Sequence, residues 1–426
     1  MAFAALSTTQ VHELHQAPDV KLVDTRDVDS YNGWCLHGQS RGGHIPGAKS
    51  IPHKWSSYID WIEIVRSKNI EPSQKIIVYG AAKDHIMAVA KLFTKAGYDD
   101  VQVYNDFLSE WTTSPNLPLN TLARFDRLVP ASWVKDQLSQ ANANDKTARD
   151  FTVVHAHYRN PAAYESGHIP GAIAMDTLAL EAAETWNRRS PEELKNALES
   201  HGISSDTTVI LYGKFMWPDN DDPFPGSAAG HLGAIRCAVI MMYAGVQDVR
   251  VLNGGFQSWK DAGYEISTDE LKPEPILEFG APIPSRPELF VDVPEAKEMI
   301  SSDQSDLVSV RSWEEYIGNV SGYNYIEKKG RIPGSVFGNC GSDAYHMENY
   351  RNLDHTIREA QEVEQIWREI SITSDRRAAF YCGTGWRGSE AFYNAWLMGW
   401  PNVAVFDGGW FEWSNDPDNP TATGTP

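Results

Sequence analysis

GHIPGA at Gly43–Ala48, GHIPGA again at Gly167–Ala172 and GRIPGS at Gly330–Ser335 are three copies of one string, and they set the architecture of this 426-residue chain. Self-similarity at domain spacing is the mark of tandem duplication. Each string follows a short apolar run: Leu22–Arg26 (LVDTR), Val153–His157 (VVHAH) or Leu307–Arg311 (LVSVR). Each precedes a second run ending in tyrosine, IIVY to Tyr79, VILY to Tyr212 and AAFY to Tyr381. A helical stretch then reaches a glycine placed for a C-cap, Gly97, Gly245 or Gly399. From that glycine to a closing tryptophan (Trp111, Trp259, Trp413) the interval is 14 residues every time. From tyrosine to cap it is 18, 33 and 18 residues. The middle copy therefore carries 15 extra residues, for which the Pro- and Asp-rich run WPDNDDPFPGSAAG (Trp217–Gly230) and its flank are the expected place.

After each cap come further β-branched runs, VQVY (Val101–Tyr104), VRVL (Val249–Leu252) and VAVF (Val403–Phe406). Short apolar strands alternating with helices predict an α/β fold, each copy a parallel sheet with helices on both faces. The expected organisation is a first domain over 1–122, a second over 123–269 with an insertion near 217–230, a Pro-rich linker over 270–287, a third domain over 288–414 and a loose tail over 415–426.

Composition is that of a globular protein, 42% hydrophobic and 22% charged. Acidic residues outnumber basic ones 57 to 37, for a net charge of −20, which disfavours a nucleic-acid partner. An anionic substrate then has to be attracted by a local positive site. The longest apolar stretch, Ala234–Val246, is interrupted by Arg236 and is too short for a membrane partner. The opening MAFAALSTTQ has no export-signal pattern, so the expectation is a cytoplasmic chain if the sequence is complete as given, and a periplasmic one if a signal has been removed. Cys35, Cys237, Cys340 and Cys382 form no CxxC, so neither a disulfide framework nor a metal site is expected.

In a parallel sheet, ligands bind beyond the carboxyl ends of strands. There the three copies differ. Gly80-Ala81-Ala82 follows Tyr79 and Gly213-Lys214-Phe215 follows Tyr212, whereas Cys382-Gly383-Thr384-Gly385-Trp386-Arg387 follows Tyr381. Only the third copy has a nucleophile at this turn, and two glycines follow it. Backbone N–H groups and the positive end of the helix favour thiolate there. Gly383 and Gly385 are expected to let successive N–H groups point inward as a nest. Arg387 is the expected charge partner of a bound anion. Arg311 and Arg331 either attract anions or brace the fold.

These residues resemble a known family. The Cys-led cradle, the HIPGA strings and the DGGW ending (Asp407–Trp410) look like rhodanese domains, and three copies with CGTGWR in the last are similar to bacterial three-domain thiosulfate sulfurtransferases. The resemblance implies three tandem rhodanese-like domains, the first two catalytically silent. It makes Cys382 the nucleophile, and Gly383, Thr384, Gly385, Trp386 and Arg387 its substrate-binding loop, with Arg311 added. The chain departs from the family's first-strand pattern, having Asp24 in the first copy but Ser309 in the third.

The expected reaction is a two-step transfer. The thiolate takes the outer sulfur of thiosulfate, releasing sulfite, and the Cys382 persulfide passes it to cyanide or a thiol. The cysteine carries the sulfur, so no cofactor is called for. The partners are a small anionic sulfur donor and a thiol or cyanide acceptor, with a protein sulfur acceptor left open. The competing readings are 3-mercaptopyruvate as donor, a cysteine phosphatase and a non-enzymatic sulfur carrier or scaffold. The phosphatase loop has C-x5-R where this chain has C-x4-R. A resolving role for Cys340 is the less favoured reading, Cys237 reads as core, and the HIPGA histidines read as fixing a turn. The recurring tryptophans read as packing.

Overall fold

The computed structural model describes residues 3–143, 151–215 and 229–426. The chain divides into two compact units, Met1–Asp126 and Arg127–Pro426.

The first unit holds one sheet, made of β1 (Val20–Asp24), β2 (Lys49–Ser50), β3 (Lys75–Tyr79) and β4 (Val101–Tyr104) in the order β2-β1-β3-β4. Every pairing is parallel, and Ala5 bridges Val103 along the outer side of β4. The second unit holds two sheets of five strands. One contains β5 (Leu128–Val129), β6 (Phe151–His157), β7 (Ala172–Asp176), β8 (Thr208–Tyr212) and β9 (Asp248–Leu252), ordered β5-β9-β8-β6-β7. The other contains β10 (Phe290–Val291), β11 (Ser305–Ser309), β12 (Val336–Phe337), β13 (Arg377–Tyr381) and β14 (Val403–Phe406), ordered β10-β14-β13-β11-β12. Their pairings are also parallel. The α/β reading of three like sheets holds. The middle strands are buried almost end to end, the pattern of strands covered on both faces, which is why they read as unbroken apolar runs.

The repeated residues do the same work in each copy. Tyr79 and Tyr212 accept at Oη from the Ile45 and Ile169 N–H groups, at 3.1 and 2.9 Å, and Tyr381 bonds Ser335 Oγ at 2.9 Å. His44 and His168 place Nδ1 against the carbonyls of Tyr31 and Tyr164, fixing the turn. Trp111, Trp259 and Trp413 are fully buried, and each indole N–H donates to a carbonyl six or seven residues on.

The last twelve residues are not the expected loose tail. Arg331 and Ala422 exchange both backbone hydrogen bonds, and Gly424 N–H donates to the Ile317 carbonyl at 2.7 Å. The same bridge closes the other copies, His44 with Asn120 and His168 with Ser267. The segment is therefore tied down by backbone pairing that its Pro- and Thr-rich sequence does not announce. In the Pro-rich stretch, Phe279 is buried and exchanges hydrogen bonds with Ser205 and Glu199. The expected insertion lies outside the described residues, save Ala229 and Gly230, which begin the helix Ala229–Ala244. Among the described residues no helix is long and apolar enough to cross a membrane.

Candidate active site

Strand β13 ends at Tyr381, the loop Cys382–Gly385 turns the chain, and the helix Trp386–Leu397 begins at once. Cys382 is 1% exposed. Two backbone bonds from the DGGW segment hold the loop: Trp410 N–H donates to the Cys382 carbonyl and Phe411 N–H to the Gly383 carbonyl, both at 2.9 Å. Gly385 has φ +87°, a left-handed conformation that suits glycine, and it is the N-cap of the helix. Gly383 is not left-handed. Its reason is a close approach: a Cβ there would lie 2.4 Å from the Tyr323 ring. The expected pair of nest glycines therefore reduces to one αL glycine and one that makes room for an aromatic ring.

A cysteine at the matching position of the first two copies would force its neighbours to shift. A Cβ on Gly80 would meet Thr25 Oγ1 at 2.1 Å, and one on Gly213 would meet the Gly230 carbonyl at 2.0 Å.

Arg387 is buried and does not face outward as a free anion site. It is held in a two-point pair with Glu315 (2.8 and 3.1 Å) and also donates to Tyr323 Oη at 2.6 Å and the Asp343 carbonyl at 3.0 Å. Burial by itself would raise the Glu315 carboxyl, but the Arg387 guanidinium holds it below the usual carboxylate range. Glu315 also caps the Ser312 N–H.

Arg311 and Arg331 both make bracing contacts. Arg311 is fully buried over the Trp410 ring and donates to the Gly330 carbonyl. Arg331 donates to the Gly424 carbonyl and lies over Tyr316. Of its donors, Arg311 Nη2 goes to the Gly330 backbone and Nε faces Ser309 Oγ, so part of this side chain, expected to bind substrate, is spent on bracing the fold.

Trp386 is turned away as well. Its indole N–H lies 2.9–3.0 Å from both Glu181 oxygens, and its ring meets Tyr158 edge-on, so it docks the loop on the second domain. Glu181 begins a buried network. Arg236 donates to Glu181 at 3.3 Å and to Asp407, and Arg188 bonds Asp407 at 2.7 Å and Asp292 at 2.9 Å. Burial pushes the Glu181 carboxyl up to about 7 against the pull of Arg236. Asp407 is also buried, yet Arg236 and Arg188 hold its carboxyl low. Whether the second domain reaches the loop was open from the sequence; these contacts show that it does.

Three other tyrosines stand around the thiol loop. The Tyr323 ring is tilted against Tyr325 (5.2 Å) and edge-on to Tyr345 (6.2 Å). Burial raises the Tyr323 phenol well above its ordinary value, partly offset by Arg387. Since its oxygen accepts from Arg387, its own O–H is left to donate. Cys340 is buried, with Sγ donating to the Val310 carbonyl at 3.1 Å. Burial pushes its thiol up to about 12. Glu315, Tyr323, Glu181 and Arg236 were not singled out as site residues from the sequence. None lies in a repeated string; Tyr323 sits in SGYNY, which no other copy shares, far up the chain from its cysteine.

A buried thiol in a helix-capped cradle, in one of three like domains, defines a cysteine-based sulfur-transfer protein. The rhodanese-like domain model matches residues 7–114, 149–262 and 292–416, and the chain belongs to the rhodanese family. Thiosulfate sulfurtransferase YnjE of Escherichia coli (strain K12) is 40% identical over 417 residues, covering 96% of this chain and 90% of that protein. The sulfur carrier protein TtuD of Thermus thermophilus is 29% identical over 70% of this chain and 96% of its own. Among solved structures, wild-type EanB has 59% identity and TM-score 0.96 over 100% of this chain and 99% of that one. The anaerobic ergothioneine biosynthesis enzyme of Chlorobium limicola, in complex with trimethyl histidine, has 58% identity and TM-score 0.96 over 100% of both chains. A Tyr-to-Phe variant of EanB carries a cysteine persulfide in a tetrahedral intermediate state with ergothioneine. With these relatives the chain is a sulfurtransferase, with a sulfur donor and a sulfur acceptor.

Proposed function

We propose that this chain moves a sulfane sulfur through a Cys382 persulfide onto the imidazole ring of a trimethylated histidine. The observation that carries the reading is Tyr323: its ring lies on Gly383 and its hydroxyl is held by Arg387. In EanB the substituted tyrosine lies 59 residues before the persulfide cysteine, the interval from Tyr323 to Cys382. The EanB threonine studied with hercynine lies two residues after that cysteine, as Thr384 does here.

The chemistry balances without an oxidant. The outer sulfur bonds to the ring carbon between the two nitrogens while the Tyr323 phenol donates toward a ring nitrogen. The S–S bond breaks with its electron pair going to Cys382 Sγ, and the ring carbon gives up its proton. The carbon is oxidised by two electrons and the sulfane sulfur reduced by two, leaving a ring thione and a Cys382 thiol. Arg387, expected to draw in an anionic donor, is neutralised by Glu315, which weakens the case for a site built around a thiosulfate dianion. The second reading, thiosulfate to cyanide or a thiol, is supported by the 40% identity to YnjE.

The test loads the protein with thiosulfate or 3-mercaptopyruvate, counts sulfur on Cys382 by mass spectrometry, then offers trimethylhistidine or cyanide. The expected result is one sulfur on wild type, none on Cys382→Ser, and discharge to trimethylhistidine as the thione. Tyr323→Phe should load but discharge about 100-fold more slowly. Discharge by cyanide with none to trimethylhistidine overturns the acceptor assignment.

A further inference from the structure

Trp386 opens the helix that follows the Cys382 loop, and its indole is fixed from the second domain. The N–H lies 2.9–3.0 Å from both oxygens of Glu181, and the ring packs on the helix Ala229–Ala244, where a Cβ at Gly233 would stand 3.5 Å from it. Glu181 is 0% exposed and accepts from Arg236 Nε at 3.3 Å. Arg236, equally buried, turns Nη2 to the Trp186 carbonyl at 2.9 Å and to Asp407. Its guanidinium also lies on Gly385, where a Cβ would meet Nη1 at 3.2 Å and Cζ at 3.4 Å. Asp407 begins the segment whose Trp410 and Phe411 N–H groups hold the Cys382 and Gly383 carbonyls. Both supports of the loop, the helix start after it and the DGGW segment beside it, therefore converge on one pair of second-domain side chains.

Joining two domains does not by itself explain where this pair sits. Arg236 lies nine residues before the cap Gly245, a helix position held by Ala88 in the first copy and Glu390 in the third. The fold of the repeat requires no arginine there; what explains it is what it reaches. Trp386 is the first residue of its helix, so its backbone N–H is among those left without an intrahelical partner at the end joined to the thiol loop. Anchoring its side chain fixes the direction of that N–H, and misplacing an orienting group by about 1 Å costs on the order of 100-fold in rate. The hold on Trp386 also depends on charge. Burial raises the Glu181 carboxyl to about 7, while Arg236 and the Trp386 N–H pull it down. A bond that lowers the value is stronger to the ionised carboxylate, so the hold tightens as pH rises through about 7. The charged groups facing Glu181 are Arg236 and, beyond it, Asp407 and Arg188. Cys237, beside Arg236 on the same helix, is a thiol raised by burial.

We infer that Glu181, with Arg236 behind it, is a positioning residue: it holds Trp386 and, through Trp386, orients the Cys382 loop for sulfur transfer. The inference rests on the proposed reading that Cys382 carries the sulfur and is independent of which acceptor takes it. The second copy, which has Gly213 where the third has its cysteine, supplies the strut against which that cysteine works.

The test uses the full chain with Trp386→Phe, which keeps a ring and removes the N–H, Glu181→Gln, which keeps an acceptor and removes the charge, and the double variant. Each is loaded from thiosulfate, sulfur on Cys382 is counted by mass spectrometry, and discharge to cyanide and to trimethylhistidine is timed at pH 6 and pH 8. One sulfur is expected on every protein. Trp386→Phe should discharge about tenfold more slowly than wild type at pH 8, with the half-saturating acceptor concentration within about twofold. Glu181→Gln should match wild type at pH 6 and be about fivefold slower at pH 8. The double variant should be no slower than Trp386→Phe, since one residue acts through the other. Losses that multiply in the double variant, equal slowing of Glu181→Gln at both pH values, or wild-type rates in either single variant at pH 8 would overturn the inference. Hydrogen exchange of the amides of residues 383–388 at pH 8, expected to quicken in both single variants, needs no sulfur. Wild type that gains no sulfur on Cys382 overturns the reading of the site, and exchange unchanged by the variants overturns the positioning role.

Discussion

Replacing Glu315 by glutamine tests whether the arginine of the cradle is neutralised or free. Glu315 and Arg387 are 0% and 1% exposed and joined at two points. Glutamine keeps the shape and one acceptor but leaves the guanidinium charge without its counterion. Removing one partner of a buried pair costs about 3 kcal/mol or more. For a unit of this size that lowers Tm by roughly 6–9 °C. The pH dependence has a definite sign. Glu315 is held below its unfolded value of 4.5, so its stabilisation is present above about pH 4.5 and is lost as pH falls through the folded value. The gap between wild type and variant should be widest near neutrality and close in acid. The freed charge should also act on the donor step. A unit charge over several ångströms at an effective dielectric of about 20 is worth a few kcal/mol. With Tyr323 and the Asp343 carbonyl still shielding Arg387, we expect the thiosulfate concentration for half-maximal Cys382 loading to fall about tenfold, and to rise again with salt. Melting scans across pH and loading followed by mass spectrometry measure both. A variant that melts with wild type at pH 7 and loads from thiosulfate no better refutes the claim that Glu315 neutralises the loop.

Gly385→Ala forces a Cβ onto a left-handed residue at 3.0 Å from the Asp407 carbonyl, so it should cost about 1–2 kcal/mol and slow sulfur transfer while leaving Cys382 alkylatable; unchanged turnover counts against the αL cap as a loop determinant. Glu181 has a folded pKa of about 7, above its unfolded 4.5, so its favourable contribution is complete below pH 4.5 and lost as pH rises through 7. The Tm of Glu181→Gln should therefore gain on wild type from pH 5 to pH 8, and a constant difference would exclude an ionising Glu181. Cys340→Ser should retain transfer within about twofold under repeated turnover, because a thiol pushed up to about 12 is a poor nucleophile near neutrality. A large loss, with Cys382 accumulating sulfur, would make Cys340 a resolving thiol.

The repeated strings carried the architecture because each residue in them makes a local, recurring contact: a histidine to a turn carbonyl, a tyrosine to a backbone N–H, a tryptophan to its own closing loop. The candidate nucleophile was legible for a similar reason. A cysteine between a strand and a glycine-led helix start has its environment set by its chain neighbours. What the sequence left out is what another segment places opposite a side chain. Arg387 stands opposite Glu315, one donor of Arg311 meets the Gly330 carbonyl, and the Trp386 N–H meets Glu181. Charge type is written in the sequence, but whether a charge is already answered is not.

By itself, then, the order of residues determined three like α/β domains and the place of one candidate thiol, since periodicity, turn glycines and strand ends are short-range properties. The fold alone decided the wall in front of that thiol. Tyr325, beside Tyr323, and Phe411 meet Trp186 from another domain, well over 100 residues away in the chain, and nothing local in the sequence encodes such an encounter. The packing of the second and third domains against each other decides which rings stand beside the Cys382 loop.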